Sequence, residues 1–167
     1  MKTPFLLSTI ALAVFGSLAV SQAADSKRTA EYLLSSPQTY ENKAVTVDVA
    51  AVKPANWKSP FPELAFFHAM TLDRMDHKPG GAILVAVPAA DSASFAKKYG
   101  TDFEGRFESD PLKGQFLAAG PRKIWVIDMS GKLAGLLAER KAMWPDEAGA
   151  PVAMGGRFGP GRGPRQP

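Results

Sequence analysis

The stretch "FFHAMTLDRMDHKPGGAILVAV", residues 66–87, decides how the chain is to be read. It holds both histidines, His68 and His77, with Asp73, Asp76, Met70 and Met75 around them. Such a set suggests a metal site, since imidazole, carboxylate and thioether are all ligand chemistries. Spacing separates the set. "LAFFHAMTLD" (64–73) reads as a strand, and at 3.3 Å per residue His68 stands roughly 16 Å along it from Asp73. Only Asp73, Asp76 and His77 can converge, in the polar segment "RMDHKPGG" (74–81), which reads as a turn on its Pro79-Gly80-Gly81. "AILVAVP" (82–88) is then the next strand, apolar on both faces and therefore central. The stretch is two strands and a turn, with Asp73, Asp76 and His77 as the remaining candidate metal ligands.

Working outward, "NKAVTVDVAAV" (42–52) alternates Val45, Val47 and Val49 with Thr46 and Asp48, the period of a half-buried strand. "KPANWKSPFPE" (53–63) contains three prolines and reads as a loop. "ADSASFAKKYG" (90–100) changes period: Phe95 and Tyr99 are four apart and Gly100 stops a helix. "TDFEGRFESDP" (101–111) is an acidic loop. "LKGQFLAAG" (112–120) and "KIWVIDMS" (123–130) read as strands joined by a hairpin turn. A short helix is expected at about 27–35, ended by Pro37. A terminal helix is expected over 131–144, with Leu133, Leu136 and Leu137 as its apolar stripe and Ser130 as its cap. The chain is mainly β, in the order β-β-β-α-β-β, with a helix at each end.

The termini differ in kind. Lys2, the apolar run 5–20 and the small residues of "SQA" (21–23) have the form of an export signal cut after Ala23. The run is shorter than the roughly 20 residues that span a bilayer. Residues 24–143 are expected to form one domain, and 144–167 a linker and a disordered Gly/Pro/Arg tail, "GGRFGPGRGPRQP" being too poor in apolar surface to fold. The protein is thus expected to be periplasmic or secreted, with no transmembrane anchor after signal cleavage. The absence of cysteine excludes disulfides, thiol catalysis, thiolate metal sites and covalent c-type haem. Four of the twenty basic residues, Lys2, Arg157, Arg162 and Arg165, lie in the terminal segments. The remaining sixteen balance all sixteen acids over residues 24–154, so that part of the chain carries no basic field to attract a polyanion. The tail offers only a weak contact to an anionic surface, up to about 1 kcal/mol per basic residue.

The order of elements resembles the OB-fold, a five-stranded barrel with a helix between strands three and four. "SPQTYENKAVTVDVAAV" (36–52) resembles the start of small bacterial OB domains, through Pro37, Tyr40, Lys43, Val45 and Val47. "FFHAMTLD" (66–73) resembles strand two of the anticodon-binding type, and "LKGQF" (112–116) the fourth strand with its Lys-Gly step. One departure stands in strand one. Where the family has a Gly after Val-x-Val, this chain has Asp48-Val49-Ala50, so small Ala50 and Ala51 must serve the bend. The resemblance spans roughly 28–130 and implies a closed five-stranded barrel.

Such barrels bind single-stranded nucleic acid, oligosaccharides, haem or proteins, so function must be read from the site. Nucleic acid is disfavoured, because the first three strands add only Lys53, Lys58 and Arg74 to their aromatics. The haem-carrying relatives use a His after the barrel, and this chain has none there. No Gly-x-Ser-x-Gly, P-loop or His-Glu-x-x-His is present, and no cofactor is implied. The expectation is an exported, non-catalytic binding module for an envelope protein or glycan. Its candidate contacts are Trp57 and Phe61 on the first loop, Phe67 on strand two, and Arg122 and Lys123 at the last hairpin. The alternative is a small-ligand- or metal-binding protein using Asp73, Asp76 and His77. His68, on the face of Phe66, Met70 and Leu72, reads as a buried or rim histidine rather than a ligand.

Overall fold

A computed structural model describes residues 28–103 and 108–140. The signal-like segment, the linker and the tail lie outside the described residues. Ten elements follow in order: α1 (Ala30–Ser35), α2 (Pro37–Tyr40), β1 (Ala44–Pro54), β2 (Leu64–Asp73), β3 (Lys78–Pro88), a 3-10 turn (Ala89–Asp91), α3 (Ser92–Tyr99), β4 (Asp110–Ala119), β5 (Ile124–Asp128) and α4 (Leu133–Arg140). The strands form a closed barrel in the order β1-β2-β3-β5-β4. All neighbours are antiparallel except β3 and β5, which run parallel with Leu84 opposite Val126. This is the five-stranded OB-type architecture that the element order implies.

Closure depends on β1, which serves two partners. Its first half, Ala44 to Val49, pairs with β4, and its second half, Val49 to Pro54, pairs with β2. The register against β2 shifts between Val49 and Ala51. The extra residue, Ala50, is a bulge that bends the strand and increases its twist. A bulge at a small residue thus does here what a glycine does in the sequences that β1 resembles.

Alternation along the strands sorts the core into two apolar clusters. Inside the barrel lie Val45, Val47, Val49, Val52, Phe67, Ala69, Ile83, Val85, Val87, Leu112, Phe116 and Ile127. Helix α3 contributes Phe95 and Tyr99 to this cluster, and α1 contributes Ala30 and Leu33. A second cluster covers the outer face of β2, β3, β5 and β4. Phe66, Leu84, Ala86, Leu117, Ala119 and Val126 pack there beneath Trp57, Phe61 and Leu133. Strand β3 is apolar on both faces because both faces are covered.

Pro79-Gly80-Gly81 corrects the expected turn: the three residues belong to β3, and the turn is confined to Arg74–His77. The cause is tertiary. Thr71 Oγ1 donates to the Gly80 carbonyl at 2.7 Å and accepts the Ala30 amide at 2.9 Å. This bridge seats the start of α1 directly on β3. A Cβ at Gly80 would lie 2.5 Å from Thr29 Cβ, closer than real carbon atoms approach. Glycine is there for close approach and not for turning. At the other end of the domain, the buried Asp128 caps the approach to α4. Its Oδ1 accepts Ser130 N at 2.8 Å and Ser130 Oγ at 2.6 Å, and its Oδ2 accepts Leu133 N at 3.0 Å. No helix among the described residues is long and apolar enough to cross a membrane.

Candidate functional site

Two clefts bear on the candidate residues among those described. The first is an open groove of about 410 Å³ between the β1–β2 loop, the start of β2 and α3. Pro54, Ala55, Trp57 and Ser59 form one side, Ala65, Phe66 and Phe67 the floor, and Ser92, Ala93 and Ala96 the other side. The loop is held rigidly. Ala55 N donates to Phe66 O at 2.9 Å, which ties the start of the loop to β2, and Leu64 N donates to Phe61 O at 3.0 Å, which closes a turn at its end. Ser59 Oγ donates to Phe61 O at 2.7 Å and accepts Phe61 N at 3.1 Å. Trp57 is thereby laid against Phe66, with ring centroids 4.9 Å apart and planes tilted by 35°. Only about 9% of its surface is left exposed.

The five residues expected to contact a ligand separate under this geometry. Trp57 and Phe67 both line the groove, with Phe67 itself buried in the inner cluster. Phe61 comes from the same loop but is wholly buried in the outer cluster, where it supports the loop from beneath. Arg122 and Lys123 are exposed at the β4–β5 turn. Phe67 is level with Val85, and Val85 with Ile127. Lys123, four residues before Ile127, is therefore roughly 13 Å along the strand from the groove. The two basic residues form a separate rim.

The second cleft, about 460 Å³, is lined by Val49, Ala50, Arg74, His77, Glu108, Ser109 and Asp110. It opens where β1 leaves β4 for β2. Arg74 spans it: Nη2 lies 3.1 Å from Oδ1 of Asp48 and donates to Ser109 O at 2.9 Å, while Nε donates to Ser109 Oγ at 3.2 Å. Asp48 is fully buried and Arg74 is 38% exposed. Sequence reading passed over this pair. Its one visible sign is a carboxylate at position 48 in an otherwise apolar alternation.

The candidate metal ligands Asp73, Asp76 and His77 have other engagements. Asp73 Oδ1 accepts the amides of Met75 at 2.8 Å and Asp76 at 3.3 Å. Asp76 Oδ2 pairs with Lys78 Nζ at 3.2 Å, both exposed. His77 takes φ 51°, the left-handed residue that closes the turn. No group of three or more His, Asp or Glu among the described residues is placed to hold a metal ion. The polar atoms shape a hairpin. His68 lies on the outer face of β2 between Lys53 and Leu84. It is partly buried, and desolvation pushes its imidazole below the usual value.

No family model matches the chain, and no curated protein or solved structure matches it significantly.

Proposed function

We propose that the chain is a small exported, non-catalytic binding module of the bacterial cell envelope, and that the Trp57–Phe67 groove is its contact site. The carrying observation is the chemistry of the groove. Trp57, Phe66 and Phe67 line it, hydrogen bonds between Ser59 and Phe61 tie the loop that carries Trp57, and small residues of α3 line its other side. A preordered aromatic wall loses little entropy on binding, which is why Trp and Tyr recur in binding hot spots. Between the two partner classes that the sequence suggests, a protein segment fits better than a glycan. A sugar presents hydroxyls that need several polar partners, whereas the groove offers mainly aromatic and methyl surface. The balance of charge over residues 24–154 supports a partner recognised by shape and apolar contact rather than by charge.

The test uses the rim of α3. Ala93 is exposed and lines the groove without entering either apolar cluster. Ala93→Arg is expected to fold as the parent does and to abolish binding of apolar peptides selected against the parent from a random library. Ala118→Arg, remote from the groove, is expected to leave that binding intact. Equal binding by parent and Ala93→Arg would overturn the reading. Export is checked separately. Fractionation is expected to place the protein in the periplasm or medium, with mass spectrometry showing a mature chain beginning at Ala24.

A further inference from the structure

None of the described residues that line the groove is charged, and Ser59 and Ser92 bring its only hydroxyls. A segment that lies along it must be uncharged too, since a charge placed there would lose water and find no partner. The chain carries one such segment outside the described residues. After Arg140 the charges fall at Lys141, Asp146 and Glu147, and again at Arg157, Arg162 and Arg165. Between Glu147 and Arg157 stands "AGAPVAMGG" (148–156), with Pro151, Val152 and Met154 as its apolar groups. Met143 and Trp144 are apolar as well, but Lys141, Asp146 and Glu147 stand on either side of them within three positions. Pro151 also suits an aromatic-lined groove. Proline fixes φ near about −65°, so an extended segment around it loses less entropy on docking.

The segment is long enough to reach. Pro151 follows Arg140 by eleven positions, up to about 36–40 Å of extended chain, against a radius of gyration of about 13 Å for a domain of this size. We infer that residues 148–156 dock through Pro151, Val152 and Met154 in the Trp57–Phe67 groove of their own chain. The inference rests on the groove being a contact site for apolar protein segments, and it names the first such segment. A site and a segment joined in one chain meet at an effective concentration of about 1 mM. A contact with a Kd of about 0.1 mM in isolation then fills roughly nine grooves in ten. An external peptide sees only the open tenth, so its apparent Kd is about tenfold weaker. The groove is thereby reserved for partners that bind more tightly than the chain's own segment.

The absence of cysteine makes a direct test possible, because an introduced pair reports one proximity. Ala93 is exposed and lines the groove. Met75 is 69% exposed in the β2–β3 turn, eight positions beyond Phe67 and so roughly 26 Å along the hairpin. In the full chain at high dilution, Ala93→Cys/Ala153→Cys is expected to form its disulfide about tenfold faster than Met75→Cys/Ala153→Cys. Adding Val152→Asp and Met154→Asp should bring the first rate down to the second. Without cysteines, Val152→Asp/Met154→Asp is expected to tighten the binding of the selected apolar peptides about tenfold. Equal cross-linking at Ala93 and Met75, or a rate indifferent to the two aspartates, would overturn the inference. So would a disulfide that joins two chains, which gives the groove to a second copy. Peptides that bind parent and aspartate variant equally would overturn the inference and leave the groove reading standing. Peptides that bind neither would overturn the groove reading, while the cross-link still decides whether the segment docks.

Discussion

Gly114→Ala adds one methyl group to β4 and should be a costly single-methyl change, because part of what it meets is backbone. A Cβ built at Gly114 lies 2.5 Å from Ile127 Cγ2, 2.7 Å from the Asp128 carbonyl oxygen and 3.1 Å from its carbonyl carbon. The first contact is with a side chain, which can rotate or shift. The other two are with the backbone of β5, which pairs with β4 at Gln115–Asp128 and Phe116–Ile127. Relief requires β5 to move away by several tenths of an ångström within a closed ladder. Overpacking of this kind costs about 1–3 kcal/mol, and an unyielding backbone places it at the upper end. The strain also reaches α4, because the carboxylate of Asp128 accepts the Leu133 amide. We expect a loss of about 3 kcal/mol by urea unfolding, equivalent to roughly 10–15 °C in Tm for a domain of this size. Ile127→Ala separates the two contacts. In a double-mutant cycle it should recover about 1 kcal/mol of the Gly114→Ala cost, because the side-chain clash is removed while the carbonyl remains. A loss below about 1 kcal/mol for Gly114→Ala, or full rescue by Ile127→Ala, would show that the β4–β5 backbone is not the obstacle.

Three further outcomes follow from the same geometry. Arg74→Met withdraws a cation from the buried carboxylate of Asp48 and should cost about 2–3 kcal/mol, below the 3–5 of a fully buried pair because Arg74 is partly exposed; Asp48→Val/Arg74→Met together should lie within about 1 kcal/mol of the parent, and additive losses would refute the pairing. Thr71→Val removes both the acceptor of the Ala30 amide and the donor to Gly80 O, so about 1–2 kcal/mol should be lost, with hydrogen exchange in α1 rising before that of β2; unaltered α1 exchange would argue against the bridge. Burial lowers the His68 pKa, so the unfolded chain takes up a proton first as pH falls; stability should be full above the ordinary histidine value of about 6.5 and decline below it, a slope that His68→Gln flattens, and an identical pH profile in the variant would exclude His68 as its source.

Much of the fold was legible because the strands state their own period. The valines of β1 and the two-sided apolar run of β3 identify strands without reference to neighbours. β2 was placed within its observed limits on the same grounds. Pro79-Gly80-Gly81 was misread because local turn chemistry was the only signal in view. The requirement that α1 approach β3 through Gly80 links residues about fifty positions apart in sequence. No window of local sequence contains it.

The candidate site was half legible, and the reason lies in β3. A strand apolar on both faces needs two covers, and the barrel supplies only one of them. The outer cover had to come from elsewhere in the chain, and the aromatics of the β1–β2 loop and the leucines of α4 were the available material. The loop aromatics that the sequence offers as ligand contacts are therefore also needed as cover. Phe61 meets that need completely and Trp57 nearly so. What is left over, the edge of Trp57 and the floor of Phe66 and Phe67 beside α3, is the groove. Groove and outer core are therefore one structure. A substitution that loosens the outer cover should change the groove before it changes the barrel.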